Sequence, residues 1–278
     1  IVKMFNLYIF EDYDTNKKIR IKPFVDYYLN ATTTDWSLKV DRFETMKVKP
    51  MAELNARYFE FTYKDDSDFY NQEYKKRYNQ TYGSYIYDSQ YEFANDSKKV
   101  DVIFSGTPIV GYSGEDKYYS TLFKKSGTTE EQIDTNIRIL QSKRITGVTS
   151  WAIKTGSTTL GNYTEYGYAG HYNSPTVPSF DINFGVSKEL YFTVSGGSLN
   201  VNLFNVYWSS YIAEITDKDS KLLTCKMKLD YKDIYQIDFS KLIYLDGALW
   251  RLNKITDFNV TKGEAVSVEL IKVINRIY

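Results

Sequence analysis

The sequence predicts a mainly β (α+β) protein: small antiparallel β-barrels or sandwiches accompanied by two amphipathic helices. Three observations carry that expectation. Most apolar residues fall in short runs that alternate with polar ones, the period of a half-buried strand. Gly, Pro, Asn and Asp turn residues interrupt these runs at short intervals. Only two stretches repeat their apolar or aromatic residues at steps of three and four, the helical period.

Residues 1–64 read as an N-terminal β region. Alternating runs at 3–11 and 18–24 flank a polar Asp14-Thr15-Asn16-Lys17 turn, which predicts a hairpin. Thr32-Thr33-Thr34-Asp35 predicts a further turn before a strand over 36–40, and 55–63 alternates again. Residues 65–154 form a region of one helix plus strands. Tyr70, Tyr74 and Tyr78 recur every fourth residue and share one face, so the spacing predicts a helix over 69–81. Asp65, Asp66 and Asp68 suit its N-terminus as caps, and Lys75-Lys76-Arg77 suits its C-terminal half. Strands are expected at 84–93 and 99–104, broken by Thr107-Pro108 and by the span from Gly111 to Gly114. A strand pair, 136–145 and 148–153, is expected around Gly147.

From 155 to 185 the alternation fails, because Gly156, Gly161, Gly167, Gly170, Pro175, Pro178 and Gly185 lie among Thr, Asn, Ser and Tyr. Residues 155–200 therefore read as a Gly/Tyr-rich loop or insertion, and a loop of that length in a compact protein is usually functional. Residues 201–278 open with an amphipathic helix over 202–215, with Leu203, Val206, Tyr207 and Tyr211 on one face. Strands at 222–229, 242–245, 249–258 and 265–274 follow, the second and third joined by an Asp246-Gly247 hairpin. Four consecutive strands predict a small β-barrel-like unit at the C-terminus.

Composition removes several function classes. Lys and Arg number 35 and Asp and Glu number 35, so the concentrated positive charge that phosphate binding needs is missing and nucleic acid is not expected as the main partner. One cysteine, Cys225, rules out an internal disulfide or a thiolate cage; its apolar alternating surroundings predict a small buried hydrophobe. One histidine, His171, rules out every site built on two. No apolar run approaches 18 residues, so no membrane span is expected. The chain opens on Ile1 without a basic leader, which reads as a piece of a longer polypeptide or a processed product.

No P-loop, GxSxG elbow or post-strand GxGxxG occurs. Asp65, Asp66 and Asp68 fail as a calcium loop, because that register offers Tyr70 where Gly and Lys76 where Glu is required. The expectation is therefore no enzyme, no catalytic residue, no cofactor and no metal. One candidate interaction or binding loop stands out: Tyr163, Tyr166, Tyr168, His171 and Tyr172. Exposed aromatics there would supply stacking area, whereas the alternative is a segment packed on its own scaffold or on a neighbouring subunit.

Four stretches taken together resemble tail and baseplate proteins of bacteriophages or prophages of gut Bacteroidetes, including Bacteroides. They are 35–42 (Asp-Trp-Ser-Leu-Lys-Val-Asp-Arg), 48–61 (Val-Lys-Pro-Met-Ala-Glu-Leu-Asn-Ala-Arg-Tyr-Phe-Glu-Phe), 64–71 (Lys-Asp-Asp-Ser-Asp-Phe-Tyr-Asn), and 238–259, which contains Leu-Asp-Gly-Ala-Leu-Trp-Arg-Leu. The resemblance implies a virion structural subunit similar to baseplate hub proteins, whose small β-barrels form a ring joining the tail tube to a spike or to receptor-binding parts. It implies synthesis in the bacterial host cytoplasm, residence in the phage tail, and a homo-oligomer, trimer or hexamer, in contact with other tail proteins. No tube-forming, spike or lysozyme-like segment is recognisable. Two other classes stay open: a carbohydrate- or receptor-binding module that holds a host-surface glycan on the loop aromatics, and a cell-wall hydrolase built on an unidentified pair of carboxylates.

Overall fold

The computed structural model describes residues 1–12, 15, 17–29, 31–93, 95–111, 115–188, 200–259 and 263–274, and within them the protein is mainly β. A short helix α1 (Val2–Phe5) ends at Asn6, whose φ of 48° turns the chain into β1 (Leu7–Glu11). β1 pairs antiparallel with β2 (Ile19–Pro23), giving the expected hairpin; Asp14 and Asn16 of its turn lie outside the described residues. A helical turn α2 (Phe24–Tyr27) follows. Residues 33–35, expected in a turn, are instead strand β3 (Thr33–Asp35), and 36–40, expected as a strand, is mostly turn. The reason is non-local: β3 is held in parallel register by a strand some two hundred residues away, which no local pattern displays.

β4 (Lys47–Pro50) leads through a 3-10 turn to β5 (Tyr58–Lys64). Helix α3 (Phe69–Tyr78) forms where the tyrosine spacing predicts it. Asp68 caps it by accepting from the Asn71 N–H at 3.2 Å, and Asn79 closes it at φ 51°. β6 (Tyr85–Asp88) and β7 (Ser97–Ser105) flank β5, the first antiparallel and the second parallel. Two small hairpins come next: β8 (Val110–Gly111) with β9 (Tyr118–Tyr119), and β10 (Lys124–Ser126) with β11 (Thr129–Glu131). The break expected at Gly111 to Gly114 lies outside the described residues beyond Gly111.

The largest departure from expectation is a single long ribbon, β12 (Gln141–Thr155) paired antiparallel with β13 (Thr158–Gly170). It replaces both the strand pair around Gly147 and the first half of the Gly/Tyr-rich loop. Gly147 does adopt a positive φ of 76°, but it sits in a bulge where the register jumps from Thr146/Glu165 to Trp151/Tyr163, so the chain bends there and reverses only at Gly156. Much of the ribbon is exposed on both faces, which is why β13 shows no apolar alternation. Residues 173–188 are largely irregular, and 189–199 of the expected loop lie outside the described residues.

A π-helical turn (Phe204–Trp208) runs into α4 (Ser209–Thr216), together the expected second helix. β14 (Lys221–Met227), the turn α5 (Tyr231–Tyr235), β15 (Leu242–Leu245), β16 (Ala248–Thr256) and β17 (Val266–Lys272) complete the chain, with Asp246 and Gly247 both at positive φ between β15 and β16. These four strands do not close on themselves. They join β3 and β4 in one open sheet of order β3-β15-β16-β17-β14-β4, so no closed barrel exists among the described residues.

The two largest of five apolar clusters among the described residues organise this. One packs β5 against α4 and the segment before it, through Phe59, Phe61, Phe184, Leu203 and Ile212. The other lies on the six-stranded sheet, through Trp36, Met227, Trp250, Val268 and Leu270. A buried ion pair, Arg251 with Glu214 at 2.5 Å, ties α4 to β16, and the guanidinium lies 4.2 Å from the ring centre of Tyr28. No helix among the described residues is long and apolar enough to cross a membrane.

Candidate functional site

Four of the five residues expected in an exposed loop are inside the protein. Tyr166, Tyr168, His171 and Tyr172 are between 0 and 8 % exposed, and only Tyr163 remains partly open at 40 %. Strand alternation explains this, since 166 and 168 share the face of β13 that turns toward Ile109, Ile145 and Val148. The Tyr166 hydroxyl accepts from the Tyr118 N–H at 3.0 Å, and that of Tyr168 donates to the Tyr172 carbonyl at 3.1 Å. These rings pack on their own scaffold, so a sugar cannot stack on them, and the expectation of an aromatic binding loop is corrected.

His171 is the centre of a buried polar network. Its Nε2 accepts from the Thr107 N–H at 3.1 Å, which leaves the proton on Nδ1 to be donated to Asn183 Oδ1 at 2.5 Å. Asn183 in turn donates through Nδ2 to Asp181 Oδ2 at 3.0 Å and to the Ser187 hydroxyl, and through its N–H to Asp181 Oδ1 at 2.5 Å. Gln141 donates to the His171 carbonyl at 2.7 Å, and the Tyr63 hydroxyl donates to the Ile182 carbonyl at 2.5 Å. Burial pushes the Asp181 carboxyl up to about 7 and the His171 imidazole down to about 4, each toward its neutral form.

The Gly106-Thr107 junction links this network to an ionic one. Arg138 donates to the Gly106 carbonyl, to Thr107 Oγ1 at 3.0 Å, to Asp66, and to Asp68 Oδ2 at 3.1 Å. Asn71 donates to Asp68 Oδ2 at 2.6 Å and to the Gly106 carbonyl at 2.9 Å. Asp68 is thus both helix cap and ion-pair partner. Together the groups fasten the start of α3, the end of β7, the end of β13 and the segment 181–187. General acid–base work needs contact with a substrate, and His171, Asp181 and Asn183 are fully enclosed; what this arrangement does is hold these four stretches of chain in register. His171 was visible in the sequence as the lone histidine. Arg138, Asp181 and Asn183 were not, because their partners lie from 2 to 72 residues away and no spacing rule joins them.

Among the described residues no group of three or more His, Cys, Asp or Glu is placed to hold a metal ion. Cys225 is buried in β14 at 2 % exposure, as expected, and burial pushes its thiol up to about 11.

The surfaces are more informative. On the β1–β2 hairpin the inner face packs Tyr8 and Phe10 against Phe24 and Tyr27. The outer face pairs Leu7 with Pro23, Ile9 with Ile21 and Glu11 with Ile19, and the three isoleucines are 57–68 % exposed. A strand face that should be polar is apolar on both strands apart from Glu11 at its end. The far end of the β12–β13 ribbon adds Ile153, Leu160 and Tyr163, and α5 holds out Tyr231 and Tyr235. No family model matches the chain, and no curated protein and no solved structure matches it.

Proposed function

We propose that the protein is a structural subunit of a phage tail tip or baseplate, a ring-forming hub or adaptor linking the tail tube to spike or receptor-binding components. The observation that carries its assembly role is the outer face of the β1–β2 hairpin, where Ile9, Ile19 and Ile21 meet water with Leu7 and Pro23 beside them. Contiguous exposed apolar surface of this kind marks a protein contact. A second support is the β12–β13 ribbon: its strand of 15 residues spans about 45 Å, and two-stranded ribbons are marginal in water unless something covers a face. The tail location rests on the resemblance of residues 35–42, 48–61, 64–71 and 238–259 to phage tail and baseplate proteins.

The direct experiment is immunogold labelling of virions with antibody to this chain, combined with pull-down against the tail-tube and spike proteins of the same virion. Gold at the tail tip and capture of either neighbour supports the reading. Label absent from purified virions contradicts it.

A further inference from the structure

We propose that the β10–β11 hairpin is a head-to-tail contact between copies of this chain, in which the acidic strand β11 of one copy adds to the open edge of the basic strand β10 of the next. The inference rests on the assembly reading and names one edge that the assembly would use. Lys124 and Lys125 lie on β10, and Glu130 and Glu131 lie on β11, so each strand carries one sign of charge. Every residue from Lys124 to Glu131 is exposed. The sheet has no third strand, and among the described residues no backbone group of 124–131 bonds outside the hairpin. Lys124 stands opposite Glu131 and Lys125 opposite Glu130, yet among the described residues Lys124, Glu130 and Glu131 join no ion pair.

An open strand edge offers its N–H and C=O groups to any strand that fits beside it. Charge decides which strand fits. A two-fold contact through β10 brings lysines beside lysines, and one through β11 brings glutamates beside glutamates; like charges facing each other destabilise a strand pair. Adding β11 to β10 instead repeats the register already present inside the hairpin, Lys124 with Glu131, Lys125 with Glu130 and Ser126 with Thr129. Each lysine then lies between two glutamates. The strand order β11-β10-β11-β10 stays antiparallel throughout, with both hairpins pointing the same way. Such a contact is heterologous, and it closes into a ring by rotation where a two-fold contact would stop at a pair.

The hairpin is fixed at its root to the start of α3. The Phe69 N–H donates to the Phe123 carbonyl at 2.8 Å, the two rings stack with centroids 5.3 Å apart, and Lys125 Nζ lies 5.3 Å from the centre of the Phe69 ring. Such pre-organisation lowers the ordering cost of binding. Exposed ion pairs contribute little affinity. The contact therefore selects the partner edge and its register, while the apolar face of the β1–β2 hairpin supplies the strength. An anionic polymer or surface fits less well, because the lysines of β10 are matched by the glutamates of β11.

The test is analytical ultracentrifugation of the full chain at about 50 and about 500 mM salt. Lys124→Glu with Lys125→Glu makes both strands acidic, and Glu130→Lys with Glu131→Lys makes both basic. Each variant alone should need at least about tenfold more protein to assemble at low salt, and the difference should shrink at high salt. Mixed in equal amounts, the two should associate within about threefold of the parent's concentration. Acidic edges then meet basic edges between copies, while the pairing inside each hairpin stays unfavourable, so a purely internal role of these charges gives no such recovery. Either variant assembling like the parent overturns the proposal, and so does a mixture that associates no better than its components. If the charge variants assemble like the parent and Ile9→Lys with Ile21→Lys disperses the chain, the assembly reading stands without this contact. A parent chain that stays monomeric removes both.

Discussion

The ring of Tyr163 lies across Gly161, two residues earlier on the same face of β13. A Cβ on Gly161 would stand 2.7 Å from the Tyr163 hydroxyl oxygen and 3.0 Å from Cε2. The same relationship recurs between Tyr168 and Gly170, Tyr63 and Gly83, and Tyr85 and Gly185. At these four positions the pairing of Gly with Tyr is a packing device, in which the missing side chain seats an aromatic ring, whereas Gly156 and Gly167 of the same ribbon face open space.

The device predicts unequal costs for one chemical change. Tyr163 is partly exposed and can swing outward, so Gly161→Ala should change stability by less than about 0.5 kcal/mol. Gly170 faces Tyr168, buried at 2 %, and Ile109 Cδ1 at 2.9 Å from the added carbon, so neither neighbour can yield freely. Gly170→Ala should cost about 1–3 kcal/mol in urea unfolding.

Arg138 balances two carboxylates, Asp66 and Asp68, that are 7 % and 0 % exposed. Replacing it with Met leaves both buried without a counter-charge and should cost about 3–5 kcal/mol. The triple variant Asp66→Asn, Asp68→Asn, Arg138→Met should recover a large part of that loss, measured by the same denaturation midpoint.

Buried Asp181 and His171 act on pH dependence with opposite sign. Asp181 rises from 3.8 to about 7, so the folded chain holds a proton that the unfolded chain has lost, and stability falls as pH rises through that window. His171 falls from 6.5 to about 4, so the unfolded chain holds the extra proton and stability rises with pH there. The two slopes cancel over most of the range from 4 to 6.5. Asp181→Asn leaves the histidine limb alone, and its stability should climb by about 2.5 kcal/mol between pH 4.5 and 6.5 relative to the parent. Urea titrations at the two pH values measure it; parallel curves for parent and variant would refute it.

Cys225 should be inert in the folded protein, since its thiol is both enclosed and pushed up to about 11. Reaction with a thiol reagent at pH 8 should be at least about a hundredfold slower in buffer than in denaturing urea, the protected fraction tracking the folded fraction.

The sequence displayed what depends on near neighbours. Helix α3 with its Asp68 cap, helix α4, the β1–β2 hairpin and the four C-terminal strands with the Asp246-Gly247 turn all lie where period and turn chemistry indicate. What stayed hidden depends on distant partners. β3 is ordered by β15, the ionic cluster joins Arg138 to residues some 70 positions earlier, and the sheet that holds the C-terminal strands stays open because β3 and β4 add to its two edges. The β12–β13 ribbon stays hidden because a strand exposed on both faces has little apolar alternation, and because Gly two residues from Tyr on one strand has the composition of a loop. His171 and its neighbouring tyrosines stand out in the sequence by composition, whereas in the fold Tyr166, Tyr168, His171 and Tyr172 are buried.

The most direct measurement of the assembly account is mass by light scattering on the full chain over a concentration series, with and without the double substitution Ile9→Lys, Ile21→Lys. Both side chains are exposed in the isolated fold, so the variant should stay folded. The account predicts a trimer or hexamer of the 32.5 kDa chain that the substitution converts to monomer. A parent chain that remains monomeric at the highest concentration, or an oligomer untouched by the two lysines, would contradict it.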